Sequence, residues 1–349
     1  TGTVSLIKSA SIVSVLTLAS RITGLVRDVL MNATFGVSAL TDAFWVAFRI
    51  PNMLRRMFAE GAFTQAFVPV LAASKEQDGE EATRALINSV ATLLTVALLL
   101  TCVVGIAGAP ILVYLLASGL KPEGFEAAVV MTRWMFPYIA CMSLVALGAG
   151  VLNTWKNFAI PAATPVLLNL AMILAAWLGA PWFKQLGIEP IYAMAAGVML
   201  GGLLQLGAIL LGLWRMGLTL GIRLNIAAAR DAWAQPATKR IVHLMGPALL
   251  GVSVSQISLI INTQIASHLA VGSVSWLTSA SLLMEFPTAM LGVALGVVLM
   301  PQLAAAKAAN DAAKFSGMID WGLRLVVLLA VPSAIALITF AQPLVAVIF

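Results

Sequence analysis

Residues 86–116 read LINSVATLLTVALLLTCVVGIAGAPILVYLL, without one charged side chain. At 1.5 Å per residue a helix of this length exceeds the roughly 30 Å hydrocarbon thickness of a bilayer. A helix on the surface of a soluble protein needs a polar face, and this run has none wide enough. The composition agrees: of 349 residues 61% are hydrophobic and only 10% charged, and the mean hydropathy is +1.01. Soluble domains carry about 25% charged residues. The sequence therefore predicts an all-α polytopic membrane protein.

Working outward, nine spans are predicted, at about 5–31, 37–70, 86–116, 125–152, 159–179, 189–214, 241–269, 274–302 and 317–341. The first apolar run continues into Arg21 and Arg27 with no small-residue cleavage context, so an uncleaved first helix is expected. The second segment is long and contains Pro51. Read as one segment, it leaves ten basic residues in the connections of one side: Lys75, Arg84, Lys156, Arg215, Arg223, Arg230, Lys239, Arg240, Lys307 and Lys314. The opposite connections hold only Lys121 and Lys184. Basic loops stay in the cytoplasm, which puts the N-terminus there too, in an inner-type membrane. The net charge of +6 is thus a matter of topology and anionic lipid, with no nucleic-acid module in view.

Three regions are expected: an N-terminal lobe over 1–214, a connection over 215–240, and the start of a second lobe over 241–349. In the connection Leu224, Ile226, Ala229 and Trp233 alternate with Asn225, Arg230 and Asp231, which fits an interfacial helix or a plain cytoplasmic linker. A weak repeat supports two lobes around a central cavity. Gly36 precedes Pro51 by fifteen residues, and Gly272 precedes Pro287 by the same distance. Val68-Pro69 with Leu71-Ala72-Ala73 likewise parallels Met300-Pro301 with Leu303-Ala304-Ala305. On that logic the second lobe is incomplete and the sequence is a portion of a longer protein.

The chemistry concentrates between Arg21 and Glu60, in Arg21, Arg27, Asp28, Asp42, Arg49, Arg55, Arg56 and Glu60. One charge near a bilayer centre costs about 2.5–3.5 kcal/mol on insertion scales, so such groups pair, snorkel or line a wet cavity. Arg27–Asp28 and Arg55–Arg56 can be read as interfacial, and Arg21 can be read as a structural partner of Asp42. Five cations against three anions fit an anionic ligand in a solvated cleft better, because guanidinium forks match phosphate oxygens. Glu285, two residues before Pro287, is placed where a kinked eighth span could contact a cation or an arginine of the first lobe. Asp320 and Arg324 have the spacing of a helix-face pair. Cys102 and Cys141 read as small buried hydrophobes, and His243 and His268 are isolated, so no metal site, disulfide or catalytic group is expected. No nucleotide-binding motif is found, and no enzyme activity or cofactor is predicted.

Several motifs resemble the MviN/MurJ family of lipid II flippases. They are the stretch from Arg21 to Asp28, Thr41-Asp42-Ala43-Phe44, and Pro51 to Phe63 through Arg55, Arg56 and Glu60. Asn153-Thr154-Trp155, Met245-Gly246-Pro247 and Met284-Glu285-Phe286-Pro287 belong with them. The resemblance implies a member of the multidrug/oligosaccharidyl-lipid/polysaccharide exporter superfamily with about fourteen spans, of which this chain resembles the first nine or so. It implies transport of lipid II, the undecaprenyl-pyrophosphate-linked disaccharide-pentapeptide, from the cytoplasmic to the periplasmic leaflet for peptidoglycan synthesis. Alternating access would be driven by membrane potential or an ion gradient, beside membrane lipids and cell-wall synthesis proteins as partners. The family's functional residues carry over onto Arg21, Arg27, Asp42, Arg55 and Glu60 as the substrate-binding set, with Glu285 and Pro287 as a gating or second-lobe contact. One departure stands out: many members carry Asp-Arg where this chain has Ser281-Leu282, which leaves Arg21, Arg27 and Arg55 to hold the head group. Two other readings remain: a multidrug or polysaccharide exporter with a more apolar or acidic cavity, and a non-transporting scaffold with its charges paired and its cavity closed.

Overall fold

The computed structural model describes residues 2–285, 287–288, 299, 303 and 311–348, with side chains from residue 12 onward. The expected ends of the eighth span and of its repeat motif, the Phe286 of that motif and Lys307 lie outside the described residues.

The described residues are overwhelmingly helical. Helix α1 (Gly2–Phe35) turns at Gly36 into α2 (Ala39–Leu54). The turn requires glycine: Gly36 has φ +64°, in the left-handed region. The Ser38 hydroxyl then caps α2 by accepting from the Thr41 N–H at 3.1 Å. Helix α2 runs on through a π-helical stretch (Arg55–Phe63) into α3 (Thr64–Gln77). The long second segment is therefore one helix, with Pro51 inside α2 and a π-helical widening that begins four residues after it.

The remaining first-lobe elements are α4 (Gly79–Ala107), α5 (Ala109–Ala117), α6 (Pro122–Met135), α7 (Tyr138–Thr154), α8 (Ala159–Leu174), α9 (Ala180–Gln185) and α10 (Tyr192–Arg215). A short π-helical turn, Ala175–Gly179, joins α8 to α9. Small residues let these helices touch. A Cβ on Gly148 would stand 2.2 Å from Ile209 of α10, and one on Gly202 2.7 Å from the Tyr138 ring of α7. The continuous core, with Phe44, Phe67, Phe136 and Tyr138 fully buried, lies mainly among these helices and reaches Ile241, Ala266 and Val274. Leu100, Val103 and Val104 on the outer face of α4 are exposed, as lipid-facing side chains should be.

Helix α11 (Ile226–Ala234) occupies the connection, so the residues that fitted either an interfacial helix or a plain linker form a helix. Beyond it come α12 (Pro236–Ser267), α13 over residues 273–285, α14 (Ala312–Thr339) and α15 (Ala341–Ile348). Gly272, ahead of α13, has φ +100°, the counterpart of Gly36 ahead of α2. Helix α12 packs along the π-helical stretch. A Cβ on Gly61 would lie 2.9 Å from Val252, so glycine is what permits the approach. Six of the helical stretches, including α4, α10, α12 and α14, are long and apolar enough to cross a membrane.

A cationic cleft and a polar latch on the same helix

The charges of α1 and α2 separate into two clusters. The first lines a cleft of about 620 Å³ bounded by α1, α2 with the π-helical stretch, α8, α13, α14 and α15. Arg21, Gly24 and Arg27 recur every third residue, which puts them on one face of α1. Asn169 of α8 sits against Gly24, its amide nitrogen 3.5 Å from where a Cβ would be. That amide donates to the Ser20 carbonyl at 2.8 Å, and its oxygen accepts from Arg27 Nη1 at 2.8 Å. Asp28 takes Arg27 Nε at 2.6 Å. Arg27 is thus held from two sides, with Nη2 lacking a partner among the described residues.

Arg55 pairs with Glu60 and donates from Nε and Nη2 to Asn52 Oδ1 at 3.0 and 2.9 Å. The pair depends on the local helix type. Residues five apart stand about 140° apart around an α-helix, but on one side of a π-helix. Arg21 and Arg56, both exposed to the cleft, have no ion-pair or hydrogen-bond partner among the described residues. Opposite them α13 contributes Leu282, Leu283 and Glu285, with Pro287 just beyond. Among the described residues four guanidinium groups face two carboxylates, Glu60 and Glu285, and these cations come from α1 or the long second helix. Such an array can take up an anion with several oxygens, phosphate or pyrophosphate among them.

The second cluster is a latch between α2 and the helices α12 and α13. The structure places Asp42 here, outside the cleft, and no Arg21–Asp42 pair forms. Its carboxylate accepts from the Gly272 N–H at 2.6 Å, the Ser275 N–H at 2.9 Å and the Ser275 hydroxyl at 2.6 Å. The carboxylate satisfies N–H groups that the start of α13 would otherwise leave unbonded, and its charge opposes the positive helix end. Two turns along α2, buried Arg49 donates to Thr263 of α12 and, at 2.7 Å, to Thr278 of α13. At the same end Ser118 N–H donates to Gln264 Oε1 at 2.9 Å.

Of the residues predicted from sequence, Arg21, Arg27, Arg55, Glu60, Glu285 and Pro287 thus share the cleft. Arg56, read from the sequence as one of the five cations of the charged group, lines it too, and Asn52 and Asn169 join them unpredicted. Asn169 did carry a signal, as a lone amide in an apolar span. Arg324 pairs with Asp320 at 2.8 Å on an exposed face, as their spacing predicted. Both cysteines are buried and free.

The family described as lipid II flippase MurJ matches residues 31–349. The chain is 52% identical over 347 residues to the lipid II flippase MurJ of Burkholderia cenocepacia, covering 99% of this chain and 66% of that protein. It is 38% identical to the probable lipid II flippase MurJ of Vibrio cholerae, covering 99% of this chain and 65% of that one. It therefore spans about two thirds of the length of these relatives. Among solved structures, a lipid II flippase MurJ in an inward closed conformation is similar with a TM-score of 0.78 at 25% identity, over 95% of this chain and 66% of that chain. An inward-facing MATE-family multidrug transporter of the MOP superfamily has a TM-score of 0.70 at 16% identity, over 97% of this chain and 75% of that one, a likeness of fold. By the family match over most of its length and the identity to these relatives, the chain belongs to the lipid II flippase MurJ family.

Proposed function

We propose that this chain carries the head-group site of a lipid II flippase in a bacterial inner membrane. The observation that supports it is the cleft in which four arginines face two carboxylates, with Arg21 and Arg56 unpartnered among the described residues. A guanidinium without a partner in an apolar setting is costly, and an incoming pyrophosphate relieves that cost. In this reading Arg21 and Arg56 meet the pyrophosphate first, and Arg27, held by Asp28 and Asn169, presents its remaining nitrogen. Arg55 joins by loosening from Glu60. Glu285 repels the anion from the α13 side and limits the standing positive charge. The prenyl tail stays in lipid while the lobes rock about the bound head.

The excess of basic residues in the connections that include α11 supports a cytoplasmic N-terminus in this reading, with lipid II entering from the cytoplasmic leaflet. Membrane potential or an ion gradient drives the return. Asp42 and Arg49, which hold the lobes together at one end, are the contacts that must break for the cleft to change sides.

The test is translocation of labelled lipid II in vesicles carrying the protein, compared with Arg21→Ala and Arg56→Ala. Losing a charge-assisted contact worth about 1.5–3 kcal/mol predicts a loss of roughly ten- to hundredfold in head-group affinity, with translocation falling accordingly. Unchanged translocation in both variants sinks the reading.

A further inference from the structure

We infer that the connection between the lobes is an anchor for anionic phospholipid headgroups, built by α11 and its flanks. This goes beyond the transport reading and stands whether or not the cleft carries lipid II.

Depth is the first observation. The extended stretch before α11 is pinned to α4: Gly221 N–H donates to Asn88 Oδ1 at 2.7 Å, and Arg223 N–H to Thr92 Oγ1 at 3.2 Å. The uncharged run of α4 begins at Ala85, after Arg84. At 1.5 Å per residue Asn88 and Thr92 lie about 5 and 10 Å inside it. This is the depth at which interfacial helices rest, between headgroups and acyl chains.

The second observation is the face presented. Asn225 caps α11 by accepting from the Ala228 N–H at 2.6 Å, and Ala232 is the buried contact. At 100° per residue Ile226, Arg230 and Trp233 fall within about 60° of one another, turned away from Ala232. Ile226 is 90% exposed, Leu224 65% and Trp233 48%. An apolar stripe with an arginine along one edge suits a surface that is greasy below and anionic above.

Charge is the third. Arg215, Arg223, Arg230, Lys239 and Arg240 are all exposed here, against Asp231. An acidic protein would complement the charges, but it would leave Ile226 and Trp233 at acyl depth unexplained, so the partner is lipid.

Hydrogen exchange of residues 226–234 tests this in nanodiscs of phosphatidylcholine alone and of phosphatidylcholine mixed with phosphatidylglycerol. Both faces of a nanodisc share one composition, so the outcome does not depend on the orientation of the chain. A nine-residue helix is marginal without docking, so its exchange reports the contact. Exchange should slow by about fivefold or more with the anionic lipid, the gain of roughly one basic side chain at such a surface. The triple variant Arg223→Gln, Arg230→Gln, Lys239→Gln should lose the difference, as should high salt. Equal exchange in the two lipids would mean that apolar insertion alone holds the helix, and the proposal falls. It falls equally if the lipid difference survives the triple variant, or if α11 is protected only when an acidic cytosolic protein is added.

Discussion

Asp42 and Arg56 stand fourteen residues apart on one continuous helix, and their surroundings are opposite. Asp42 is buried, and three donors of α13 converge on its carboxylate. Arg56 is exposed to a cleft and has no partner among the described residues. The same division separates Arg49, held by two threonine hydroxyls, from Arg21, held by none. Both kinds of charge are expensive in a membrane. The first kind has its cost met within the fold and serves architecture. The second kind is left unmet among the described residues, and the proposed ligand is what would supply the missing partner.

If that division is real, substitutions on its two sides should fail differently. Asp42→Ala leaves the N–H groups of Gly272 and Ser275 without an acceptor, at about 1–3 kcal/mol for a buried unsatisfied group. The melting temperature should drop, and spin labels at the starts of α2 and α13 should move apart, while pyrophosphate-lipid affinity per folded molecule changes little. Arg21→Ala should do the reverse. A variant of Asp42 that melts normally but no longer binds would break the comparison.

A smaller effect sharpens it within the cleft. Glu60→Gln frees Arg55 from its ion pair. The Glu60 side chain is 54% exposed, and such pairs are worth about 0.2–1 kcal/mol. Head-group affinity measured by titration should therefore rise by at most about fivefold. A fall instead would show that Glu60 holds Arg55 in the binding geometry.

The smallest effect is a control on the outer surface. Arg324→Ala removes a pair whose side chains are 80% and 61% exposed. The expected change in stability, about 0.5 kcal/mol or less, should leave the thermal transition unmoved. A clear destabilisation would mean that exposed charges also carry the architecture, and the division between the two kinds would blur.

Hydropathy alone determined that this is a polytopic helical membrane protein. Transfer cost is a property of the side chain and its neighbours along the chain, so the runs at 86–116 and 189–214 announce themselves. The same reasoning found the costly charges, and the glycines at 36 and 272 stood out in the sequence only as anchors of a repeat; their left-handed turns were seen in the structure. Which charges are satisfied was settled only in three dimensions. Asp42 meets a helix start 230 residues later, Arg27 meets Asn169 from α8, and Arg55 meets Glu60 because the helix widens between them. Partnership depends on which surfaces the packed helices bring within about 3 Å, a distance that the order of residues along one strand of chain does not encode.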